Sequence, residues 1–241
     1  MNGISWFYAI FFYVALAVFT GGFMLKIWKY AKTPAPLRIS LTPAPTTSGG
    51  VVLRMVQEVA LFKSLFKSNR IIWLGGYVFH LALAIALIKH IRLFYMNTPG
   101  FLNYIATYEM YVGYAMLGAL GLLLLLRLVI DRHAYISVMT DYLLLLLLMA
   151  IALTGVIMKY FIRVDIANIK VFSIGIISMN PQPLPTGEPI LLVHLTLVLL
   201  LIMYFPFSKL MHAGGVFFSP TRNQIDNPRE KRHVNPWAGE P

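Results

Sequence analysis

Five uninterrupted apolar stretches, at about residues 4–26, 71–95, 108–130, 138–160 and 189–211, leave this chain few ways to fold. Each can cross a hydrocarbon core of roughly 30 Å as a helix of about 20 residues. The third contains GLLLLLRLVI and the fourth DYLLLLLLMAIALTG, runs with no polar face to turn toward water. With 59% hydrophobic and 12% charged residues, a chain this long could not cover a soluble surface. Backbone polar groups in lipid must be satisfied within the segment, so the spans are helices. The expected fold is an all-α integral membrane protein, a five-helix transmembrane bundle.

The basic residues orient it. The opening MNGIS carries no positive charge, and Lys26, Lys29 and Lys32 follow the first apolar run where a leader peptide would show a cleavage site. That run therefore reads as a permanent helix. With the N-terminus periplasmic and the C-terminus cytoplasmic, fifteen of the 20 Lys and Arg residues lie on the cytoplasmic side. Lys89, Arg92, Lys159, Arg163 and Lys170 lie on the other. The positive-inside rule selects this multi-pass arrangement in the cell inner membrane.

Residues 1–212 read as one five-span domain and 213–241 as a cytoplasmic tail. Residues 27–70 form a cytoplasmic connection that opens with the irregular TPAPLRISLTPAPTTSGG. Over 51–68, Val52, Met55, Val56, Val59, Phe62 and Phe66 share one helical face, which suits the membrane interface or a partner subunit. The connection at 161–188 ends in NPQPLPTGEP and reads as a turn-rich cap on the outer face.

There is no cysteine, so the chain can hold no iron–sulfur cluster and no thioether-linked haem. An electron carrier here must be non-covalent, and any iron–sulfur centre belongs to a partner. The net charge of +11 sits beside the apolar blocks and reads as span flanks, not as a nucleic-acid surface.

Six histidines remain to be explained. His133 falls in a short turn and His233 in the polar tail, both ordinary solvated positions. His80 and His90 lie in the second span, His194 near the start of the fifth and His212 at its end. An imidazole inside a bilayer is costly unless paired or ligated. Ten residues separate the first two and eighteen the second two, about 15 Å and 27 Å of helix. The two spans run in opposite directions, so His80 meets His212 toward the inner side and His90 meets His194 toward the outer.

Sites of two histidines each, this far apart, do not make a four-ligand tetrahedral zinc centre. They fit six-coordinate iron whose equatorial ligands come from a porphyrin, hence two haem b groups: an inner one on His80 and His212, an outer one on His90 and His194. Gly75 and Gly76 before His80, and Gly214 and Gly215 after His212, would make room for the macrocycle.

At these residues the chain resembles the gamma subunit of respiratory nitrate reductase, a five-helix dihaem cytochrome b with ligands at the same ten- and eighteen-residue separations. The resemblance implies haem ligation by His80, His90, His194 and His212. The stretch YFPFSKLMHAGGVFFSPTRNQIDNPREKRHVNPW looks like the DsrM family of membrane cytochromes from sulfite-reduction-associated DsrMKJOP complexes. That likeness implies electron exchange between menaquinone or ubiquinone and a cytoplasmic iron–sulfur subunit, DsrK, which is similar to heterodisulfide reductase. It also implies further membrane and periplasmic subunits and a place in dissimilatory sulfur metabolism.

A quinone site needs a group to take the hydroxyl proton, and Glu109 is the candidate, with Lys89, Arg92 and Tyr108 near it. Lys89 and Arg92 read equally as snorkelling anchors or partners of haem propionates, and Tyr108 as part of an aromatic belt. Met110 stands where the nitrate reductase family has a quinol-binding lysine, so that role is not carried over. The tail, with Arg222, Arg229, Lys231, Arg232 and Trp237, is read as a dock for the iron–sulfur subunit, or else as a basic segment attracted to anionic lipid. Rival functions are another quinol-linked cytochrome subunit, a haem-free transporter, and a plain membrane anchor. Transporters usually show broken helices or inverted repeats, absent from this sequence, and an anchor leaves four intramembrane histidines unexplained.

Overall fold

Long apolar runs bounded by Lys and Arg become helices, and the first extends past its apolar block to Lys32. The computed structural model describes residues 1–33, 40, 43–107, 109–227 and 229–231, and only the backbone of 105–107, 109 and 110. Tyr108, the Glu109 and Met110 side chains, Arg38, Arg232, His233 and Trp237 lie outside the described residues. In chain order the helices are α1 (Gly3–Lys32), α2 (Ser48–Leu61), α3 (Lys63–Ser68), α4 (Arg70–His90), α5 (Gly100–Thr107) and α6 (Glu109–Val129). There follow α7 (Asp131–Tyr135), α8 (Met139–Ile157), α9 (Ile166–Ile177), α10 (Pro189–Tyr204), α11 (His212–Gly215) and α12 (Pro220–Asn223). Among the described residues five helical stretches are long and apolar enough to cross a membrane: Gly3–Lys32, Arg70–Phe94, Tyr111–Val129, Met139–Ile162 and Pro189–Phe207. The expected all-helical bundle is present.

The elements fall into two units, Met1–Phe19 with Arg70–Tyr204, and Thr20–Asn69 with Phe205–Pro241. In the first, α4 packs on α6, α6 on α8 and α8 on α10. The α4–α6 seam is close because Gly75 has no side chain: a Cβ there would lie 3.1 Å from Leu123 Cδ2. Such small-residue contacts replace the hydrophobic drive that is missing between helices in lipid. The buried Asp141 carboxylate, in the first turn of α8, accepts from the Val138 N–H at 3.1 Å and pairs with Arg127 of α6 at 3.4 Å.

The N-terminal part of α1 joins this unit through a core of Tyr8, Ala9, Ala15, Phe172, Ile176, Leu191 and Leu199. Three polar ties reinforce it. The Tyr8 hydroxyl meets Thr196 Oγ1 at 2.8 Å, the Tyr13 hydroxyl donates to the Ile176 carbonyl at 2.9 Å, and the Leu184 N–H donates to Ser5 Oγ at 3.0 Å. The segment read as a turn-rich cap thus contains α9, whose first turn is capped by Asp165 Oδ1 accepting from Ala167 N at 2.9 Å. Its 12 residues are too few to span a bilayer, and it lies against α1 instead.

The second unit differs from expectation in two places. Residues 51–68 are not one helix: α2 ends at Phe62, whose φ of 51° is left-handed, and α3 begins there. The Glu58 carboxylate accepts from the Ser64 N–H at 3.2 Å and so caps the new helix. The fifth apolar stretch does not stay helical to 211. Pro206 lacks an N–H and its ring clashes with the preceding turn, so α10 stops at Tyr204 and gives way to 3-10 turns at Phe205–Phe207 and Lys209–Met211. His212 therefore opens α11, and the straight-helix rise assumed between His194 and His212 does not apply. Gly214 in α11 faces the C-terminal part of α1, where a Cβ would lie 2.5 Å from Ile27 Cδ1. Gly75 and Gly214 were expected to clear space for a macrocycle; both serve helix packing.

Candidate functional site

Each of the four histidines singled out above has its Nδ1 held by an acceptor. His80 Nδ1 lies 2.7 Å from the Gly76 carbonyl, His90 Nδ1 2.7 Å from the Ala86 carbonyl, and His212 Nδ1 2.8 Å from the Lys209 carbonyl. A backbone carbonyl can only accept, so the ring nitrogen donates. His194 reaches across helices instead: its Nδ1 lies 2.8 Å from Thr154 Oγ1 in α8. The Thr154 hydroxyl itself donates back to the Ala150 or Ile151 carbonyl, at 2.8 or 3.0 Å, which leaves its oxygen to accept from His194.

The four rings therefore share one tautomer. With the proton on Nδ1, a neutral imidazole presents a lone pair at Nε2, and an anchored Nδ1–H fixes ring orientation and raises the basicity of that nitrogen. This is the donor state that metal ligation requires.

Three of the four lie in the first unit, and two of these interact. His90 at the end of α4 and His194 near the start of α10 lie within electrostatic reach of each other. Among the described residues α4 and α10 share no extended backbone seam. His80 stands nearly three turns before His90, edge-on to Phe79 with ring centroids 5.0 Å apart, and the stacked Trp73–Tyr77 pair lies on the turns before it. His212 is exposed in the second unit. No group of three or more His, Cys, Asp or Glu side chains placed to hold a metal occurs among the described residues.

Near His90 and His194 the structure joins Lys89 and Arg92, read from the sequence as span anchors or propionate partners, to residues at the end of α8. Lys89 is 5% exposed and interacts electrostatically with Arg92 and with Lys159, which belongs to a π-helical turn, Met158–Ile162, at the end of α8. Arg163, left-handed at φ 54°, closes that turn and lies within reach of Lys159. Tyr160 of the same turn stacks on Tyr114 of α6, centroids 6.2 Å apart and planes 18° apart. Thr154 had a local signal, a hydroxyl in the apolar run of α8. The link from Lys89 and Arg92 to Lys159 and Arg163 had none, since the two pairs lie some seventy residues apart in sequence.

The chain is similar to known proteins over most of its length. Residues 49–225 match the family model described as nitrate reductase gamma subunit. The chain is 35% identical to the Hdr-like menaquinol oxidoreductase cytochrome b-like subunit of Archaeoglobus fulgidus, over 93% of this chain and 81% of that one. It is 30% identical to the protein of the same description from Archaeoglobus profundus, over 95% of this chain and 82% of that one.

Proposed function

This chain belongs to the nitrate reductase gamma subunit family, and on that premise we propose that it is a dihaem membrane cytochrome b linking the quinone pool to a cytoplasmic iron–sulfur subunit. The coarse part, a membrane cytochrome b-type subunit of a quinol-linked complex, follows from the family and from five membrane-length helices. The observation that carries the dihaem reading is the common state of His80, His90, His194 and His212, each with Nδ1 held by an acceptor, the tautomer that puts the ring lone pair on Nε2.

The residues fit haem by donor chemistry. An imidazole pair alone is an incomplete ligand set for zinc but supplies both axial ligands of a porphyrin iron. His90 and His194 would hold one haem, and His80 and His212 the other. When bound, such a group supplies reversible one-electron transfer. The chain's own part is to fix the four rings through the Gly76, Ala86 and Lys209 carbonyls and Thr154, and to keep the transfer path inside apolar helices.

Quinol releases two electrons and two protons on oxidation. In this reading it binds near His90 and His194, with Glu109 accepting a hydroxyl proton that leaves on the periplasmic side. The orientation is inferred from the excess of Lys and Arg at the opposite span ends, which favours a cytoplasmic C-terminus. Electrons leave toward a partner of the DsrK type, an iron–sulfur protein resembling heterodisulfide reductase, and the Hdr-like description of the archaeal relatives supports that choice. A DsrMKJOP-like complex in sulfur metabolism is the setting in which this pairing makes sense. A dithionite-reduced minus oxidised spectrum with a pyridine haemochrome count tests the reading. Two b-type haems per chain are expected; a purified, folded chain without a Soret band would leave a transporter or anchor.

A further inference from the structure

Residues 1–70 hold eight Lys or Arg and one acid, Glu58. That acid is turned into the second unit. Its carboxylate accepts from the Ser64 N–H at 3.2 Å and pairs with Arg222 of α12 at 3.9 Å, and its side chain is 7% exposed. On the other side of α2 stand Val52, Leu53, Val56, Val59 and Ala60, all exposed, Val52 to 63% and Val56 to 56%. These five fall within about 120° of the helix circumference, with no polar side chain among them. The helix is amphipathic in reverse, its carboxylate toward the protein and its valines away. A helix facing water has the opposite pattern. With 14 residues, α2 is also too short to span a bilayer.

Contacts inside the same unit set the level of α2. The end of α1 carries the exposed Trp28, with Lys32 Nζ 4.2 Å from its ring centre, an aromatic and a cation of the kind that mark a membrane boundary. Between them Tyr30 meets Phe218, ring centroids 6.1 Å apart. Phe218 leads through Ser219 into α12, which packs on α2. One four-residue helix therefore joins α2 to the boundary of the first span. The Asp226 N–H, donating to the Pro45 carbonyl at 3.0 Å, ties the same C-terminal segment to the residues before α2. Lys63 and Lys67 of α3 are exposed, and neither α1 nor α3 contains an acid. Cations alone would be the ordinary flank of a span. They do not call for an outward face of valines.

We propose that α2 and α3 form a membrane-surface anchor: Val52, Val56 and Val59 lie in the acyl boundary of the leaflet at the Lys32 end of α1, and Lys63 and Lys67 bind anionic phospholipid headgroups. Apolar area and charge both contribute to such binding, and the covalent link to α1 makes insertion a local step. Through Glu58–Arg222 and Pro45–Asp226 the anchor also holds the C-terminal segment at the bilayer surface. The inference needs α1 to span the membrane and is independent of the dihaem reading.

Because the chain has no cysteine, single labels can be placed in the full chain, reconstituted without partner subunits into nanodiscs. Val52→Cys, Val56→Cys and Val59→Cys, each carrying a fluorophore, should be quenched by nitroxide-labelled phospholipid and shielded from iodide in water. Gln57→Cys, off that face, should show the reverse contrast. In discs containing phosphatidylglycerol, adding Lys63→Gln and Lys67→Gln to Val56→Cys should lower the docked-to-undocked ratio, read from two fluorescence lifetimes, about fivefold per lysine. In phosphatidylcholine alone the same changes should have little effect. Iodide reaching all four labels equally, the result when a partner subunit is what covers this face, would overturn the anchor. Labels shielded from both quenchers would overturn it too, since the chain would then cover its own face. A ratio indifferent to both lysines in phosphatidylglycerol would overturn the headgroup contact.

Discussion

Thr154 Oγ1 accepts the Nδ1 proton of His194 at 2.8 Å, a tie between α8 and α10 that fixes one ring of the candidate site from a neighbouring helix. Its three counterparts are tied within their own local backbone, to carbonyls three or four residues earlier. His194 alone depends on another helix for its tautomer.

Replacing Thr154 by Val removes that acceptor at constant shape and leaves a half-buried donor unsatisfied, at about 1–3 kcal/mol. Loss of such an outer partner typically weakens metal-group affinity about 10- to 100-fold. The expectation is weaker retention of one haem during purification, read by Soret absorbance per chain, with Thr154→Ser near wild type.

Gly75→Val should destabilise the α4–α6 seam by about 1–3 kcal/mol, because even a Cβ would press on Leu123 at 3.1 Å. Gly118 is a control on α6: nothing lies within 4 Å of a Cβ there, so Gly118→Ala should be neutral or slightly stabilising. Thermal unfolding followed by circular dichroism measures both.

Much of this was legible because lipid simplifies the code. Three of the five expected spans ended within two residues of the observed ones, since uninterrupted apolar runs admit no other solution than a helix. The first runs six residues further, to Lys32, and the fifth stops four short, because Tyr-Phe-Pro-Phe remains apolar through Pro206 and hydropathy does not register a missing N–H. α9 was missed because its 12 apolar residues are too few for a span and its Asp165 cap was not weighed. The left-handed Phe62 had no signal, since glycine usually takes that conformation. His80, His90, His194 and His212 stood out one by one; Thr154, Lys159 and Arg163 became part of the site only through tertiary structure.

The C-terminal segment is less free than a tail. Arg222 pairs with Glu58 at 3.9 Å and the Asp226 N–H donates to the Pro45 carbonyl at 3.0 Å, so residues through 226 belong to the second unit. A truncation testing partner docking should therefore remove 228–241, not 222–241. Co-purification of the iron–sulfur subunit should be lost while the haem spectrum stays intact; retained partner would mean the docking surface lies elsewhere.

Glu109→Gln keeps shape and removes the proton acceptor assigned to quinol oxidation. Menaquinol-driven haem reduction, followed by stopped flow, should slow at least about 100-fold, the usual contribution of a general base. Dithionite reduction should be unchanged. Equal quinol-driven rates in both proteins would remove Glu109 from the site.

The most direct measurement is a haem count across single and double histidine variants. His90→Ala and His194→Ala should each lose one of two b-type haems, the same one by spectrum and potential, and the double variant should lose no more than either single. His80→Ala and His212→Ala should together define the other. Unchanged haem content in any of the four, or additive loss on combining His90→Ala with His194→Ala, would contradict the account.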